Sequence, residues 1–489
     1  MLRVLLLLCL GLVTAAEGRA AQPSADAVEV ELTAELGHVS LRQVEILRLL
    51  ISAARIMEGL YQRQVAPGGF YPADMSREEF EAWRDPAARR AQTRIRRDPW
   101  GNLEAVPYHE AWPRELGRAA RLLARAAEIT SDETLRAYLV LRARALITGD
   151  HARADAAWAA MRHSDVEILI GPVSVDADRE FGLKAGFGAY VLLRDWAWGA
   201  RLARFTVFLP SVQHSLPVSG AFKSEVPDVD MKLAVYDLLY QAGHGAARSD
   251  LPAPEVAGDA RVRLQHGARR LQLRNVMRAR FDALVLPVAD TLIAPAQRAE
   301  VGFEAFFLNT MLQEMAHTLG LRRTIDDRAA VREALGEHAD TIEELKAAVL
   351  SLWMADWLHA RDELPETTRT AHYASFLASL FRGIHLDTWS PAGQARLILF
   401  NYFRDWGAFR REAGSGRYYV DETAMAQAIE VLAGQVLTIQ GSGDHAAAAG
   451  LIDSLAVTRD EFRADLAGLA AAGIPATVVF RQGEELLGL

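Results

Sequence analysis

The sequence predicts an α+β protein that is mostly helical and is divided into more than one lobe. Its 489 residues exceed the roughly 250–300 residues at which a single hydrophobic core stops growing. Long stretches repeat apolar residues at helical spacing, whereas few segments have the β-branched composition of strands. The clearest strand candidate is "VEILIGPV", which ends at Val173 and is closed by Gly-Pro. The predicted sheet is therefore small beside the helices.

Taken in order, the first predicted element is a long amphipathic helix over residues 40–63. Ser76 is a candidate N-cap three residues before Glu79, the pattern of a capping box. The segments "PYHEAWPRELGRAARLLARAAEI" and "TSDETLRAYLVLRARALITGD" then predict a helical pair ahead of the strand.

The remainder begins with a mixed region at 205–290, where "RFTVFLPSV", "RVRLQHGARRLQLRNVM" and "FDALVLPVA" each fit a short strand or a helix end. Residues 300–440 are again helical in pattern. After the Gly-rich "LTIQGSGDH", two Ala-rich helices lead to "IPATVVF", a candidate strand that would return to the first lobe.

The first residues have the outline of a secretory signal peptide. Arg3 precedes an apolar run from Leu5 to Val13, and small side chains follow, so cleavage after Ala15 or Ala20 is expected. The apolar run is too short to span a bilayer comfortably. We therefore expect an exported protein, periplasmic or secreted, with no membrane association after cleavage. Cys9 is the only cysteine, so the mature chain would form no disulfide.

Composition excludes one large class of partner. The formal net charge is −9 and the isoelectric point is near 5.9. A nucleic-acid backbone is bound mainly through clustered Lys and Arg, so no nucleic-acid partner is expected.

The chemically informative segment is "FEAFFLNTMLQEMAHTLG", which predicts a helix that ends near Gly320. It contains HExxH with one change, because Gln313 occupies the first histidine position. Gln313 and His317 would lie one turn apart on the same face. In a zinc peptidase that pair binds the ion, and the carboxylate at the second position, here Glu314, activates the metal-bound water.

A third ligand would come from "TIEELKAAVLSLW", which carries Glu343 and Glu344. Two plainer interpretations stay open. Thr341 and Glu344 have capping-box spacing, which needs no metal. His317 also fits an ordinary histidine near a helix end, where its charged form suits the helix dipole. From the residues alone these plainer interpretations are favoured.

Several longer segments resemble the bacterial relatives of dipeptidyl peptidase III and the related domain fused to some plant Nudix hydrolases. The resemblance covers about 41–437 and includes "LISAARIMEGLYQRQ", "IGPVSVDADREFGLKAGFGAYVLLRD", "FFLNTMLQEMAHTLG", "VREALGEHADTIEELKAAVLSLW" and "FNYFRDWGAF". It implies a mixed α+β lobe and a zincin-type helical lobe around a cleft, and an activity that releases short N-terminal fragments from oligopeptides. The implied division is a signal at 1–20, the mixed lobe at 24–295, the helical lobe at 296–440, and C-terminal helices with a strand packing back on the first lobe at 441–489.

Carried over by position, the resemblance implies zinc ligands at Gln313, His317 and Glu344 and a general base at Glu314. His338, in the loop before the second metal helix, is a candidate substitute ligand, although an exposed loop histidine is the plainer interpretation. Other polar positions of the family pattern have also changed. Here they are Ser174, Gly188 (expected in a helix), Ala348 and Ala392, the last replacing a histidine suited to polarising a substrate carbonyl.

These departures predict a metallopeptidase homologue with a degraded zinc site, weak or inactive, that retains a cleft for short peptides or a protein partner. Zinc would be lost or weakly bound. One alternative is an active zinc-dependent exopeptidase of the dipeptidyl-peptidase type that uses Gln313, His317 and Glu344 with Glu314 as base. Another is a non-catalytic scaffold or assembly factor that uses surface helices.

Overall fold

The computed structural model describes residues 27–174, 177–229, 233–243, 270–475 and 477–489. The predicted signal peptide at 1–20 lies outside the described residues. Among the described helices, none combines the length and the apolar character that a bilayer crossing requires.

The structure contains ten described strands and a larger set of helices. The strands are β1 Ala27–Glu31, β2 Thr93–Arg97, β3 Leu103–Pro107, β4 Val166–Ser174, β5 Gly186–Arg194, β6 Leu233–Gly243, β7 Arg270–Leu273, β8 Phe409–Arg411, β9 Tyr418–Val420 and β10 Thr477–Arg481. The helices up to residue 300 are α1 Leu41–Val65, α2 Arg77–Ala82, α3 Tyr108–Ala111, α4 Pro113–Ile129, α5 Glu133–Thr148, α6 Ala152–Ala160, α7 Trp196–Ser215, α8 Arg274–Arg280, α9 Leu286–Leu292 and α10 Pro295–Arg298.

The later helices carry the candidate site. They are α11 Phe303–Ala316, α12 Val331–Leu335, α13 Ala339–His359, α14 Arg369–Leu386, α15 Pro391–Trp406, α16 Glu422–Ser442, α17 His445–Leu455, α18 Asp460–Ala471 and α19 Glu484–Leu487. Short 3-10 turns occupy Pro86–Arg89, Gly220–Lys223 and Gly336–His338, and a π-helical turn, Phe281–Val285, joins α8 to α9.

The first hydrophobic core is built around α1. Ser40 caps this helix and forms a capping box with Gln43, so the helix has a defined start. Its fully buried residues Leu47, Leu50 and Met57 contact a sheet and helix α4. Burial of each such side chain contributes about 1.5–3 kcal/mol.

The sheet in this core has the strand order β4-β5-β6-β7. The pairs β4/β5 and β5/β6 are antiparallel, and β6/β7 is parallel. Three two-stranded ribbons lie outside it, and one of them pairs β1 with β10 in parallel register from Ala27 opposite Thr477 to Glu31 opposite Arg481. The last described strand is therefore joined to the first.

The second core is helical and includes side chains from α7 as well as from α11 to α18. Helix α13 lies at its centre, in contact with α11, α14, α15 and α16. Phe307 of α11 is fully buried, stacks on Phe303 and contacts Trp198 edge-on with ring centroids 4.7 Å apart. The two helices that present the candidate site are thus rigidly packed.

Ion pairs join the two cores close to this site. Arg270 of β7 reaches Glu314 of α11, with Nη1 and Oε2 3.0 Å apart. Arg274 at the start of α8 contacts Glu304 of α11, also at 3.0 Å. The sheet of the first core is therefore tied to the helix that carries the changed HExxH segment.

Most local predictions are confirmed. The helix expected at 40–63 is α1, Ser76 caps α2 by accepting from the Glu79 N–H, and the Gly-Pro strand is β4. In the mixed region, "RFTVFLPSV" is helical and lies within α7. "FDALVLPVA" forms the π-helical turn and part of α9. The described part of "RVRLQHGARRLQLRNVM" contains strand β7. The predicted α+β class with a predominance of helix is confirmed.

Replacement of Phe307 by Ala is expected to lower the free energy of unfolding by about 3–5 kcal/mol, because a fully buried aromatic ring would leave a cavity. The measurement is urea denaturation followed by circular dichroism. Val207→Ala, at a 75% exposed position of α7, is the control and is expected to change stability by less than about 0.5 kcal/mol. Equal losses in the two variants would contradict the described packing.

Candidate functional site

The last turn of α11 presents Gln313 and Glu314, and His317 follows directly as the C-cap residue. The His317 N–H donates to the Gln313 carbonyl at 3.3 Å, so the two residues are one turn apart as predicted. Gly320 has φ +85°, which favours glycine, and its N–H donates to Gln213 Oε1 at 2.9 Å. The chain can therefore turn sharply away after the site.

Helix α13 presents Glu343 and Glu344 to the same region. The helix begins at Ala339, two residues before Thr341. Thr341 is consequently inside the helix, and its Oγ1 donates to Gln394 Oε1 at 2.8 Å. The capping-box interpretation of Thr341 and Glu344 is therefore wrong, and Glu344 is not engaged in an N-terminal cap.

Glu343 is the centre of a charged network. Its Oε1 lies 2.9 Å from His317 Nδ1 and 2.9 Å from Lys346 Nζ, and its Oε2 accepts from Gln440 at 2.9 Å. Burial alone would raise the pKa of Glu343, but attraction to Lys346 and the contact with His317 outweigh it and lower the pKa to about 2. Glu343 is therefore ionised at neutral pH.

Lys346 is the buried cation of this network. Its side chain is 3% exposed, and its Nζ donates to the Leu319 carbonyl at 2.9 Å as well as contacting Glu343. A buried ammonium needs such partners, because an unpaired charge in the interior is strongly destabilising. The lysine thus links α13 to the turn that follows His317.

Glu344 is in a different electrostatic environment from its neighbour. Burial raises its pKa, while attraction to His317 and to Arg396 acts in the opposite direction. The neighbouring carboxylates Glu343 and Glu314 raise it further. A proton therefore binds to Glu344 more readily than to an ordinary glutamate.

A cavity of about 80 Å³ lies between α11, α13, α14 and α15. It brings together four predicted positions: Gln313, Glu344, Ala348 and Ala392. The remaining lining residues are Phe306, Asn309, Thr310, Phe376, Ser379, Leu380, Ala395, Arg396 and Leu399. The cavity holds one carboxylate, one guanidinium and several neutral polar groups, and methyl groups occupy two of its predicted polar positions.

Arg396 contributes the positive charge of this cavity. Its aliphatic stem crosses Gly383 so closely that a Cβ there would lie 2.6 Å from the arginine Cδ. Burial lowers the pKa of Arg396, and Asp387 and Glu344 counteract this effect. Because an arginine stays protonated in proteins, a fixed cation lies near Glu344.

The other predicted residues are dispersed. Glu314 is paired with Arg270 at 3.0 Å. His338 lies in the turn before α13, with its ring centroid 4.7 Å from that of His445.

Ser174 ends β4, and Gly188 lies in strand β5 opposite Gly171, not in a helix as expected. A Cβ at Gly188 would lie 3.2 Å from the Ala242 carbonyl oxygen, so close strand packing favours glycine there.

Solved structures of dipeptidyl peptidase III are similar to this chain. A dipeptidyl peptidase III structure from Caldithrix abyssi matches with a TM-score of 0.82 and 28% identity, over 94% of this chain and 99% of that chain. The dipeptidyl-peptidase III structure from Corallococcus sp. strain EGB matches with a TM-score of 0.67 and 28% identity, over 94% and 95%. Both likenesses extend over nearly the whole of each chain.

A sequence comparison also finds a similarity that covers most of this chain. Nudix hydrolase 3 of Arabidopsis thaliana is 29% identical over 450 residues, which is 84% of this chain but 57% of that protein. The chain therefore spans little more than half the length of this relative. No family model matches the chain. With the two-lobed fold, these likenesses show that the chain is similar to dipeptidyl peptidase III in fold and in sequence.

The residues at the implied zinc ligand positions do not fit a complete three-ligand site. His317 retains a favourable arrangement, because Glu343 engages its Nδ1 and leaves Nε2 for another partner. Gln313, however, offers only a neutral amide oxygen, whereas structural and catalytic zinc sites use imidazole, thiolate or carboxylate. Glu344 faces the Arg396 charge, which would repel a divalent ion.

Several important residues were not predicted from the sequence. Lys346 follows Glu343 by three residues on a helix, and this ion-pair spacing was a usable signal. Arg270 is 44 residues from its partner Glu314 in sequence. Arg396 is 52 residues from Glu344, and Gln440 is 97 residues from Glu343. Such long-range partners have no local signature.

Lys346→Met is expected to destabilise the protein by about 1–3 kcal/mol, because it leaves the Leu319 carbonyl and the 36% exposed Glu343 carboxylate without their ammonium partner. Chemical denaturation at pH 7 measures the loss. In the double variant Lys346→Met, Glu343→Gln the unpaired charge is gone, so part of the loss is expected to be recovered. A double variant less stable than the sum of the single variants would contradict the pairing.

Proposed function

We propose that this protein is an exported, peptide-binding member of the dipeptidyl peptidase III-like family in which zinc binding and peptidase activity are weak or lost. One observation carries the proposal. The cavity at the family's metal position contains the Gln313 amide and the Arg396 guanidinium together with Glu344, so a neutral donor and a fixed cation occupy the surroundings that a zinc ion needs.

The expected loss of zinc affinity and peptidase activity is large enough to support this proposal. Disturbing even a group that only orients a metal ligand costs about 10–100-fold in metal affinity or activity. Replacing a ligand itself by a neutral amide is expected to cost at least as much. Ala392 adds to the loss, since a methyl group has no proton or charge with which to polarise a substrate carbonyl.

The proposed ligand is a short extended peptide. Among the described strands, β7 pairs only with β6, so it is an edge of the four-stranded sheet. Edge strands bind extended peptides through main-chain hydrogen bonds. Because Arg270 of β7 contacts Glu314, a peptide added at this edge would lie beside α11 and the polar groups of the site.

One observation favours an active zinc exopeptidase as the second candidate. The contact between His317 Nδ1 and Glu343 Oε1 has the form of the carboxylate–histidine pairs that orient metal-binding histidines. Glu314 is also present at the general-base position. In this alternative the Gln313 oxygen would suffice as the remaining donor.

The decisive test measures zinc and hydrolysis together. Zinc that disappears in His317→Ala is counted as belonging to this site, and activity is followed as dipeptide released from a short labelled peptide. We expect neither tight zinc at this site nor hydrolysis, in the wild type or in Glu314→Gln. Stoichiometric zinc removed by His317→Ala, with hydrolysis that Glu314→Gln abolishes, would establish the active exopeptidase instead.

Gln313→His is expected to raise zinc affinity at the site at least about 10-fold, because an imidazole replaces a neutral amide. Isothermal titration with zinc measures the change, and only zinc binding that His317→Ala removes is counted. Gln313→Asn, which keeps the amide, is the matched control and is expected to leave the affinity unchanged within about 3-fold. Equal affinities of the wild type and Gln313→His would show that position 313 does not limit zinc binding.

A further inference from the structure

Three side chains with metal-binding groups meet away from the candidate site. Glu337 and His338 belong to the 3-10 turn before α13, and His445 is the first residue of α17. One ligand atom from each of the three lies within 4.8 Å of the other two, and among the described residues this is the one such group of His, Cys, Asp and Glu. The two segments are more than a hundred residues apart in sequence.

Glu337 faces both histidines. Its Oε2 is 3.4 Å from His445 Nε2, and its Oε1 is 3.8 Å from His338 Nε2. The two imidazole rings are 4.7 Å apart between centroids. In a tetrahedral site with metal–ligand bonds of about 2.0–2.1 Å, donor atoms are separated by roughly 3.3 Å. Small side-chain rotations would therefore bring all three donors onto one ion.

The backbone on both sides of this cluster is held in place. Gly336 ends α12 with φ +53° and approaches the His445 ring, since a Cβ there would lie 3.8 Å from it. Asp444 caps α17 by accepting from the Ala447 N–H at 2.9 Å. Both ligand-bearing segments thus have defined positions before any ion binds, which limits the ordering cost of binding.

We propose that Glu337, His338 and His445 form a binding site for a divalent transition-metal ion, zinc above all, with solvent completing the coordination. Two imidazoles and one carboxylate suit zinc, nickel or copper, whereas magnesium and calcium prefer all-oxygen sites. The side chains are 74%, 20% and 47% exposed respectively, so an ion can reach them from solvent. This donor set is stronger than the one at the candidate site, because it contains no amide.

A bound ion would connect two helices at their N-terminal ends. It would tie the start of α13 to the start of α17, two elements that pack through the Gly336–His338 turn. Glu344 lies six residues beyond His338, about 9 Å along α13. Binding at the cluster is therefore expected to stiffen the end of the helix that carries Glu343 and Glu344, without contacting either residue.

The test titrates zinc into the metal-free mature protein and compares three variants. His445→Ala removes one ligand at a half-exposed helix start and is expected to lower zinc affinity by about 100-fold, while Glu337→Gln keeps the shape of its side chain and is expected to lower it at least about 10-fold. His214→Ala, at an exposed position on α7, is the matched control and is expected to bind zinc like the wild type.

Two further measurements make the outcome unambiguous. Thermal unfolding in a chelator establishes that each variant folds, and the wild type with zinc is expected to unfold at a higher temperature than His445→Ala with zinc. His317→Ala is expected to retain the binding at the cluster, so zinc at the candidate site is counted separately. Zinc affinity that is the same in the wild type and in folded His445→Ala, or absent from the wild type at submillimolar zinc, overturns the proposal.

Discussion

The contact of His317 and Lys346 with Glu343 is the interaction on which the candidate site depends. It fixes the turn after α11 against the second turn of α13, with Lys346 3% exposed and Glu343 36% exposed. Such a network is specific because each member needs the others: loss of one leaves a buried charge without a partner. The positions of Gln313 and Glu344 relative to one another follow from it.

This network also accounts for the stability of the site. Glu343 is paired with Lys346, Gln440 and His317, so it needs no metal ion to be stable. Helix α11 is held in addition by packing of Phe307 against Phe303 and against Trp198 of α7. The fold around the site is therefore stabilised by contacts that need no bound ion.

How far the sequence predicts this protein depends on the range of the interaction concerned. Helix α1, the Ser76 cap and strand β4 were predictable, because periodicity and local turn chemistry determine them within a few residues. The capping box at Thr341 was a misreading of the same kind of signal, since packing extended α13 two residues towards its N-terminus. Gly188 was expected in a helix only because of the family resemblance, whereas it lies in strand β5 between β4 and β6. Arg396 and the His338–His445 contact could not be predicted, because each joins segments that are close only in the folded chain.

The ion pair between Arg270 and Glu314 has a consequence for how the two cores respond to solution conditions. Its side chains are 48% and 27% exposed, so the pair contributes on the order of 1 kcal/mol or less and is screened by salt over a Debye length of about 8 Å at physiological ionic strength. An ion pair this weak can break and reform while both hydrophobic cores stay folded. A rise in ionic strength is therefore expected to free the Glu314 carboxylate from Arg270 without displacing helix α11.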